Sequence, residues 1–223
     1  MGNTTFLGLP YLKTKIQPDL YNKKEIINTI EHNYNISNYR NEWDKDEMNR
    51  SNFHHTNKDE GNEKFELVNY DSLKDLYDQV VQVFIRKLSF KDHKVNYNWN
   101  IVNYTVCNKG QYMRYHDHIA YCDFFMVHYL QFDKKMHKPT LYNNTHIFSD
   151  YMKDLRPSLF NSLDNNLENA WLNTEASIDV EEDDLVLAPA AVPHMIPVND
   201  KSNKNRITII SNVKINNDTE KSD

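Results

Sequence analysis

Hydrophobic residues recur along the chain with two different periods, and the change from one to the other divides it. Over residues 21–32 (YNKKEIINTIEH), Ile26, Ile27 and Ile30 fall on one helical stripe, which predicts an amphipathic helix. Residues 71–87 (DSLKDLYDQVVQVFIRK) carry a longer stripe of Leu73, Leu76, Val80, Val81, Phe84 and Ile85, with Asp71 or Ser72 as the expected cap. Ahead of these helices, residues 1–20 mix short apolar pairs with Pro10 and Pro18 and read as an extended lead-in. Residues 33–62 are almost wholly polar, with Trp43 as their large anchor, and read as a long loop.

Beyond residue 95 the period shortens to two. Residues 98–106 alternate Trp99, Ile101 and the Tyr104–Val106 group with Asn98, Asn100 and Asn103, and Asn108–Gly110 supplies a turn. Further strands are expected over 111–116, 123–130, 140–148, 174–180, 184–188, 194–197 and 206–213. The polar stretch 149–173 carries Pro157 and reads as a helix or a lid, and the tail from 216 reads as disordered. Helices followed by seven or eight short strands predict an α+β chain with a helical layer packed on a double-sheet jelly roll. The expected division is 1–95 for the helical and loop layer, 96–215 for the β core and 216–223 for the tail.

Composition narrows the function. Four glycines, and no GxGxxG or GxxxxGK[ST], exclude the usual phosphate-cradling loops. A net charge of -6 argues against a broad nucleic-acid surface. No apolar run approaches the roughly 20 residues that span a bilayer, and the N-terminus has no signal-peptide pattern. Two cysteines, Cys107 and Cys122, fit free thiols in a reducing cytoplasm. The excess of Asn, Lys, Ile and Tyr is the mark of an AT-rich genome, such as that of a virus, a phage or an AT-rich microbe.

Three short pieces carry candidate chemistry. In Tyr115-His116-Asp117-His118, a strand would turn both histidines to one face. In Val192-Pro193-His194, a third imidazole follows an acidic turn and an apolar strand. In Arg206-Ile207-Thr208, a guanidinium and a hydroxyl share a face of the last strand. Two neighbouring imidazoles and a distant one make an open three-ligand site, and imidazole suits Fe(II). The Arg fork with a nearby hydroxyl suits a carboxylate. With 10 histidines in the chain, a close pair such as His54-His55 means little, so order and spacing carry the weight.

The block 99–213 resembles the iron(II)- and 2-oxoglutarate-dependent oxygenases, nearest to their prolyl-4-hydroxylase-like and phage-type branches. The matching stretches run in order: Tyr104, Gly110-Gln111-Tyr112, His116-Asp117-His118, Val127 to Leu130, Glu182 to Pro189, Val192-Pro193-His194 and Arg206-Ile207-Thr208. The resemblance implies a double-stranded β-helix (cupin-like jelly roll) core. It implies Fe(II), 2-oxoglutarate and O2 as cofactor and cosubstrates, and hydroxylation of a small-molecule or peptide substrate with release of succinate. It implies that His116 and His194 hold iron, that Arg206 and Thr208 bind the far carboxylate of 2-oxoglutarate, and that Tyr104 and Tyr129 touch the same cosubstrate.

The family's first motif is His-x-Asp/Glu, and here His118 stands in the third slot. His118 can replace the carboxylate as the third metal ligand. Alternatively the motif is His118-Ile119-Ala120, with a halide in the gap as in iron-dependent halogenases. A third account has Asp117 or Asp123 reach the metal. Two rival functions also stand: a non-enzymatic jelly roll that binds a ligand or builds a structure, and a three-His dioxygenase without 2-oxoglutarate. Convergence of the iron ligands and Arg206 on one pocket separates the oxygenase from the first of these.

Overall fold

The computed structural model describes residues 4–6, 9–36, 65–88, 95–143, 175–198, 201 and 203–216. Ten strands and two α-helices are built from them: β1 (Thr4–Phe6), β2 (Leu9–Lys15), α1 (Lys23–Ile36), α2 (Asp71–Lys87), β3 (Asn96–Cys107), β4 (Met113–His116), β5 (Phe124–Gln131), β6 (Leu141–Asn143), β7 (Glu175–Ser177), β8 (Asp184–Pro189), β9 (His194–Ile196) and β10 (Arg206–Asn216). A six-stranded sheet has the order β1-β2-β8-β5-β10-β3, and a four-stranded sheet has the order β4-β9-β6-β7. Every pairing is antiparallel. From β3 onward the chain alternates between the sheets, except that β6 and β7 both belong to the smaller one. Helices with antiparallel sheets agree with the expected α+β class.

Period-two alternation gives each strand of the large sheet two faces with different partners. On β5, Phe125, Val127 and Tyr129 face one apolar cluster together with Tyr142, Val186 and Ala188. Met126 and Leu130 face the other cluster, with Leu73, Tyr77, Val81 and Phe84 of α2 and Ile26 and Ile30 of α1. The first cluster lies between the sheets and the second under the helices. At about 25 cal/mol per Å2 of apolar surface, burying aromatic side chains of this size stabilises the fold by a few kcal/mol each.

Four local expectations are corrected. The lead-in is not merely extended: β2 pairs with β8 from Leu12↔Leu187 to Lys15↔Asp184, so the N-terminal segment enters the large sheet. Lys13 and Lys15 of β2 and Lys23 at the start of α1 pair with the acidic turn 181–184. Next, α1 starts two residues later than expected and runs on to Ile36, because Asn33 is buried and exchanges two hydrogen bonds with the Glu66 backbone. The cap of α2 is neither Asp71 nor Ser72. Asn69 Oδ1 accepts the Asp71 N–H at 2.9 Å, and Ser72 Oγ accepts the Asn22 N–H at 3.1 Å. Finally, β4 ends at His116, so His118 lies beyond the strand.

The strand expected over 140–148 is found as Leu141–Asn143. Trp43, residues 144–173 and the tail from 217 lie outside the described residues. Among the described residues no helix is long and apolar enough to cross a membrane.

Candidate active site

His116 and His194 meet because they are register partners at adjoining ends of β4 and β9, with ring centroids 4.4 Å apart. His118 reaches them through a turn. Asp117 Oδ1 accepts the Ile119 N–H, the His118 N–H donates to the Ala190 carbonyl, and the His118 carbonyl accepts N–H groups from Tyr121 and Cys122. Its ring lies 5.4 Å from His116 and 5.2 Å from His194. One ligand atom from each of the three histidines lies within 4.8 Å of the other two. The turn thus achieves what a continuing strand was expected to do.

Protonation leaves these rings as lone-pair donors. Nδ1 of His116 and of His194 each sits 2.9 Å from the carbonyl two residues earlier, of Arg114 and Val192. A carbonyl only accepts, so Nδ1 carries the proton and Nε2 keeps its lone pair. His118 Nε2 is buried without a hydrogen-bond partner. Burial, and then repulsion from His116, lower the pKa of His194 to about 3 and that of His118 to about 4. Phe125 stacks nearly parallel to both rings, at 4.4 Å from His194 and 5.0 Å from His118. Three convergent imidazoles fit a divalent transition metal, iron included.

The same cavity, about 470 Å3 in volume, is also lined by Arg206, Thr208 and Thr140. Arg206 opens β10 and is only 1% exposed. Its Nη2 donates to Thr140 Oγ1 at 2.9 Å, and its Cζ lies 5.2 Å from the Tyr129 ring centroid. Nε and Nη1 are buried without partners, and so is Thr208 Oγ1. Among the described residues no carboxylate pairs with this cation. A buried, uncompensated charge costs several kcal/mol, so an arrangement that keeps one fits an anionic ligand.

The expected site residues divide accordingly. His116, His118, His194, Arg206 and Thr208 all line one cavity. Tyr129 is buried beside it, and its hydroxyl donates to Thr140 Oγ1 at 2.9 Å, so it contacts the residues around the anion end. Tyr104 does not belong. Asn103 and Thr105 line the cavity, so strand alternation turns Tyr104 to the opposite face, among the helix-side core residues. Burial there raises its pKa to about 12. Ala120 is exposed and Asp123 Oδ2 accepts the Ile215 N–H, and neither lines the cavity. Asp117 lines it, but its Oδ1 is occupied by Ile119 N–H.

Two contributors escape sequence reasoning. Thr140 lies 66 residues from Arg206 in the chain, and no local pattern links them. Phe125 reads as one more core aromatic of β5; only the sheet pairing reveals that it backs two histidines.

No family model and no curated protein matches the chain. Among solved structures, it is similar to a prolyl-4-hydroxylase from Pseudomonas putida at 10% identity, over 92% of this chain and 86% of that one, with a TM-score of 0.43. It is similar to the viral collagen prolyl hydroxylase of Paramecium Bursaria Chlorella virus-1, in complex with 2OG, at 11% identity over 91% and 94% of the two chains, TM-score 0.46. It is also similar to HygX from Streptomyces hygroscopicus with nickel and 2-oxoglutarate bound, at 10% identity over 92% and 82%, TM-score 0.45.

Proposed function

We propose that this protein is an iron(II)- and 2-oxoglutarate-dependent oxygenase whose double sheet is a jelly roll. In this reading residues 96–215 form the catalytic core, the N-terminal strands β1 and β2 extend its large sheet, and the two helices form a supporting layer. One observation carries the proposal: a three-histidine cluster and a buried, unpaired arginine open into the same cavity. A binding or structural jelly roll gains nothing from that pairing, and a three-His dioxygenase without 2-oxoglutarate has no use for Arg206. The halogenase register is disfavoured because Ala120 is exposed and away from the cavity.

His116, His118 and His194 hold the iron through ring nitrogens, and Phe125 fixes the planes of two of the rings. Arg206 and Thr208 bind the distal carboxylate of 2-oxoglutarate. When bound, iron with 2-oxoglutarate and O2 supplies the oxidising power to hydroxylate a C–H bond, with succinate and CO2 as the other products. The apolar walls formed by Val102, Val127, Ile196 and Ile210 exclude water from the cavity. Arg114, Tyr115 and Tyr121 form its exposed rim, where a small-molecule or peptide substrate would enter.

The test is metal content together with succinate release from 2-oxoglutarate in air. Wild type should bind one iron per chain and release succinate; His194→Ala should do neither. Equal iron content in the two proteins would overturn the metal assignment. Succinate release by wild type that does not require iron would overturn the chemistry.

A further inference from the structure

The pairing of β3 with β10 carries one irregularity, and it falls at the cavity. Ile210 pairs with Asn103 and Ser211 with Ile101, so Val102 is left over as a β-bulge. On the Cys107 side of the bulge, Thr105 and Asn103 face the cavity and Tyr104 faces the helices. Strict alternation from there would carry Ile101 and Trp99 into the cavity. The extra residue reverses the order. Ile101 and Trp99 pack on the helix side, where the Trp99 Nε1–H donates to Asp78 Oδ1 at 3.1 Å. Val102 and Asn103 both line the cavity.

The bulge thus aims Asn103 inward, and its Oδ1 is buried with no hydrogen-bond partner. Asn212 of β10 lines the same cavity, and its Oδ1 is buried and unpartnered as well. Its carboxamide lies beside the His118 ring without meeting hydrogen-bond geometry. Asn212 is the register partner of Phe125, the ring stacked on His118 and His194, and Asn103 opposes Ile210, two residues before Asn212. The two carboxamides are therefore neighbours on the wall beside the histidines. At about 3.3 Å per residue, they stand about 13 and 20 Å along β10 from Arg206, away from the anion end. The wall itself does not require amides, since Val102, Val127 and Ile210 fit it as apolar side chains. A buried acceptor without a donor costs about 1–3 kcal/mol.

Resting on the oxygenase reading above, we propose that Asn103 and Asn212 hold the primary substrate beside the three histidines, and that this substrate presents N–H or O–H donors next to the C–H bond to be oxidised. The carboxylate among the described lining residues, Asp117, is exposed at the rim. A substrate that turned a carboxylate or phosphate to this wall would set lone pairs against lone pairs. The wall selects a donor-bearing group, and amides and hydroxyls share that chemistry.

The experiment titrates small probes into the Zn(II)-loaded protein saturated with 2-oxoglutarate, which is diamagnetic and does not turn over, and follows backbone amide shifts by NMR. Two matched pairs serve: N-acetylalanine methylamide against its doubly N-methylated form, and trans-cyclohexane-1,2-diol against its dimethyl ether. The donor-bearing member of one pair should bind in the millimolar range, about tenfold tighter than its methylated partner, and the pair that discriminates tells amide from hydroxyl. Asn103→Leu should narrow that preference at least about threefold, whereas Asn103→Asp, which keeps an acceptor, should retain it. Without a probe, Asn103→Leu should unfold at an equal or higher denaturant concentration than wild type, because an orphaned acceptor is gone. Equal affinities or no binding for both pairs overturn the proposal, as does a preference unchanged in Asn103→Leu. So does a lowered unfolding midpoint in Asn103→Leu, which would make the residue part of the fold. Wild type that binds no 2-oxoglutarate at all would instead overturn the underlying functional reading.

Discussion

Two charged centres lie against the large sheet, one in the turn that leads into β8 and one at the start of β10, and they differ in who supplies the partners. On the helix side, the Lys23 ammonium lies 2.7 and 2.8 Å from the two carboxylate oxygens of Asp183 and 2.7 Å from Glu182. The Tyr21 hydroxyl donates to the same Asp183 at 2.7 Å, and Glu182 accepts the Phe132 N–H. Asp183 even takes a left-handed φ of 68°, a strained choice for a side chain other than glycine, to face this partner set. On the cavity side, Arg206 has one neutral hydrogen bond and two orphaned nitrogens, and His118 Nε2 has no hydrogen-bond partner. The first centre is complete and acts as a clasp between the N-terminal segment and the core. The second presents unpartnered guanidinium nitrogens and three convergent imidazoles, a donor set that suits an anion and a Lewis acid. The ion pair that the chain completes by itself belongs to the fold, and the buried cation that the described residues leave without an anion marks the candidate ligand site.

Substitutions can break this contrast. The largest effect is expected at the histidines: His116→Ala or His194→Ala should abolish metal binding, measured as iron per chain. His118→Asp should retain iron, since a carboxylate is itself a good Fe(II) ligand. Loss of iron in His118→Asp would count against simple replacement of the usual carboxylate.

Lys23→Met and Arg206→Met form the sharpest pair. Removing Lys23 strands Asp183 and should cost on the order of 3 kcal/mol in denaturant unfolding, with metal and 2-oxoglutarate binding unchanged in the folded protein. Removing Arg206 removes a charge that has no partner, so the ligand-free protein should be equally stable or more stable. The same variant should lose about 2–5 kcal/mol of 2-oxoglutarate binding. Comparable destabilisation in both variants would erase the distinction between the two centres.

A smaller effect concerns pH. His128 faces the helices, with its Nδ1 2.7 Å from the Tyr77 hydroxyl, and burial lowers its pKa to about 3. Below an unfolded-state pKa of about 6.5, the unfolded chain takes up protons that the folded one refuses. His128 therefore contributes to a loss of stability as pH falls from about 6.5 toward 3, as do His194 and His118 in the metal-free protein. Replacing His128 by Gln should flatten this slope by about one proton, seen in urea titrations across that range. The smallest effect is expected for Ala120→Asp, an exposed site that should leave metal content unchanged.

Much of the fold can be read along the chain because its signals are local. The stripe of 71–87 predicts α2 to the residue, and period-two alternation locates most core strands to within a few residues. The errors arise where a distant partner decides. The N-cap of α2 is Tyr70, which offers no side-chain cap, and it is Asn69 before it that accepts the Asp71 N–H. The strand β2 carries Pro10 near its start, opposite the short edge strand β1, and gains its identity only by pairing with β8. Tyr104 sits at a position that the family resemblance favours, but alternation with Asn103 and Thr105 turns it to the helices. Thr140 acquires meaning only when the sheets bring it to Arg206.

The most direct test of the whole account is calorimetric titration of 2-oxoglutarate under nitrogen into wild type and Arg206→Met, each with and without Fe(II). If the three histidines and Arg206 form one site, binding requires both the metal and Arg206, and metal-loaded Arg206→Met stays folded while its affinity falls at least about 30-fold. Binding to wild type that is equally tight without metal, or undiminished in Arg206→Met, would contradict it.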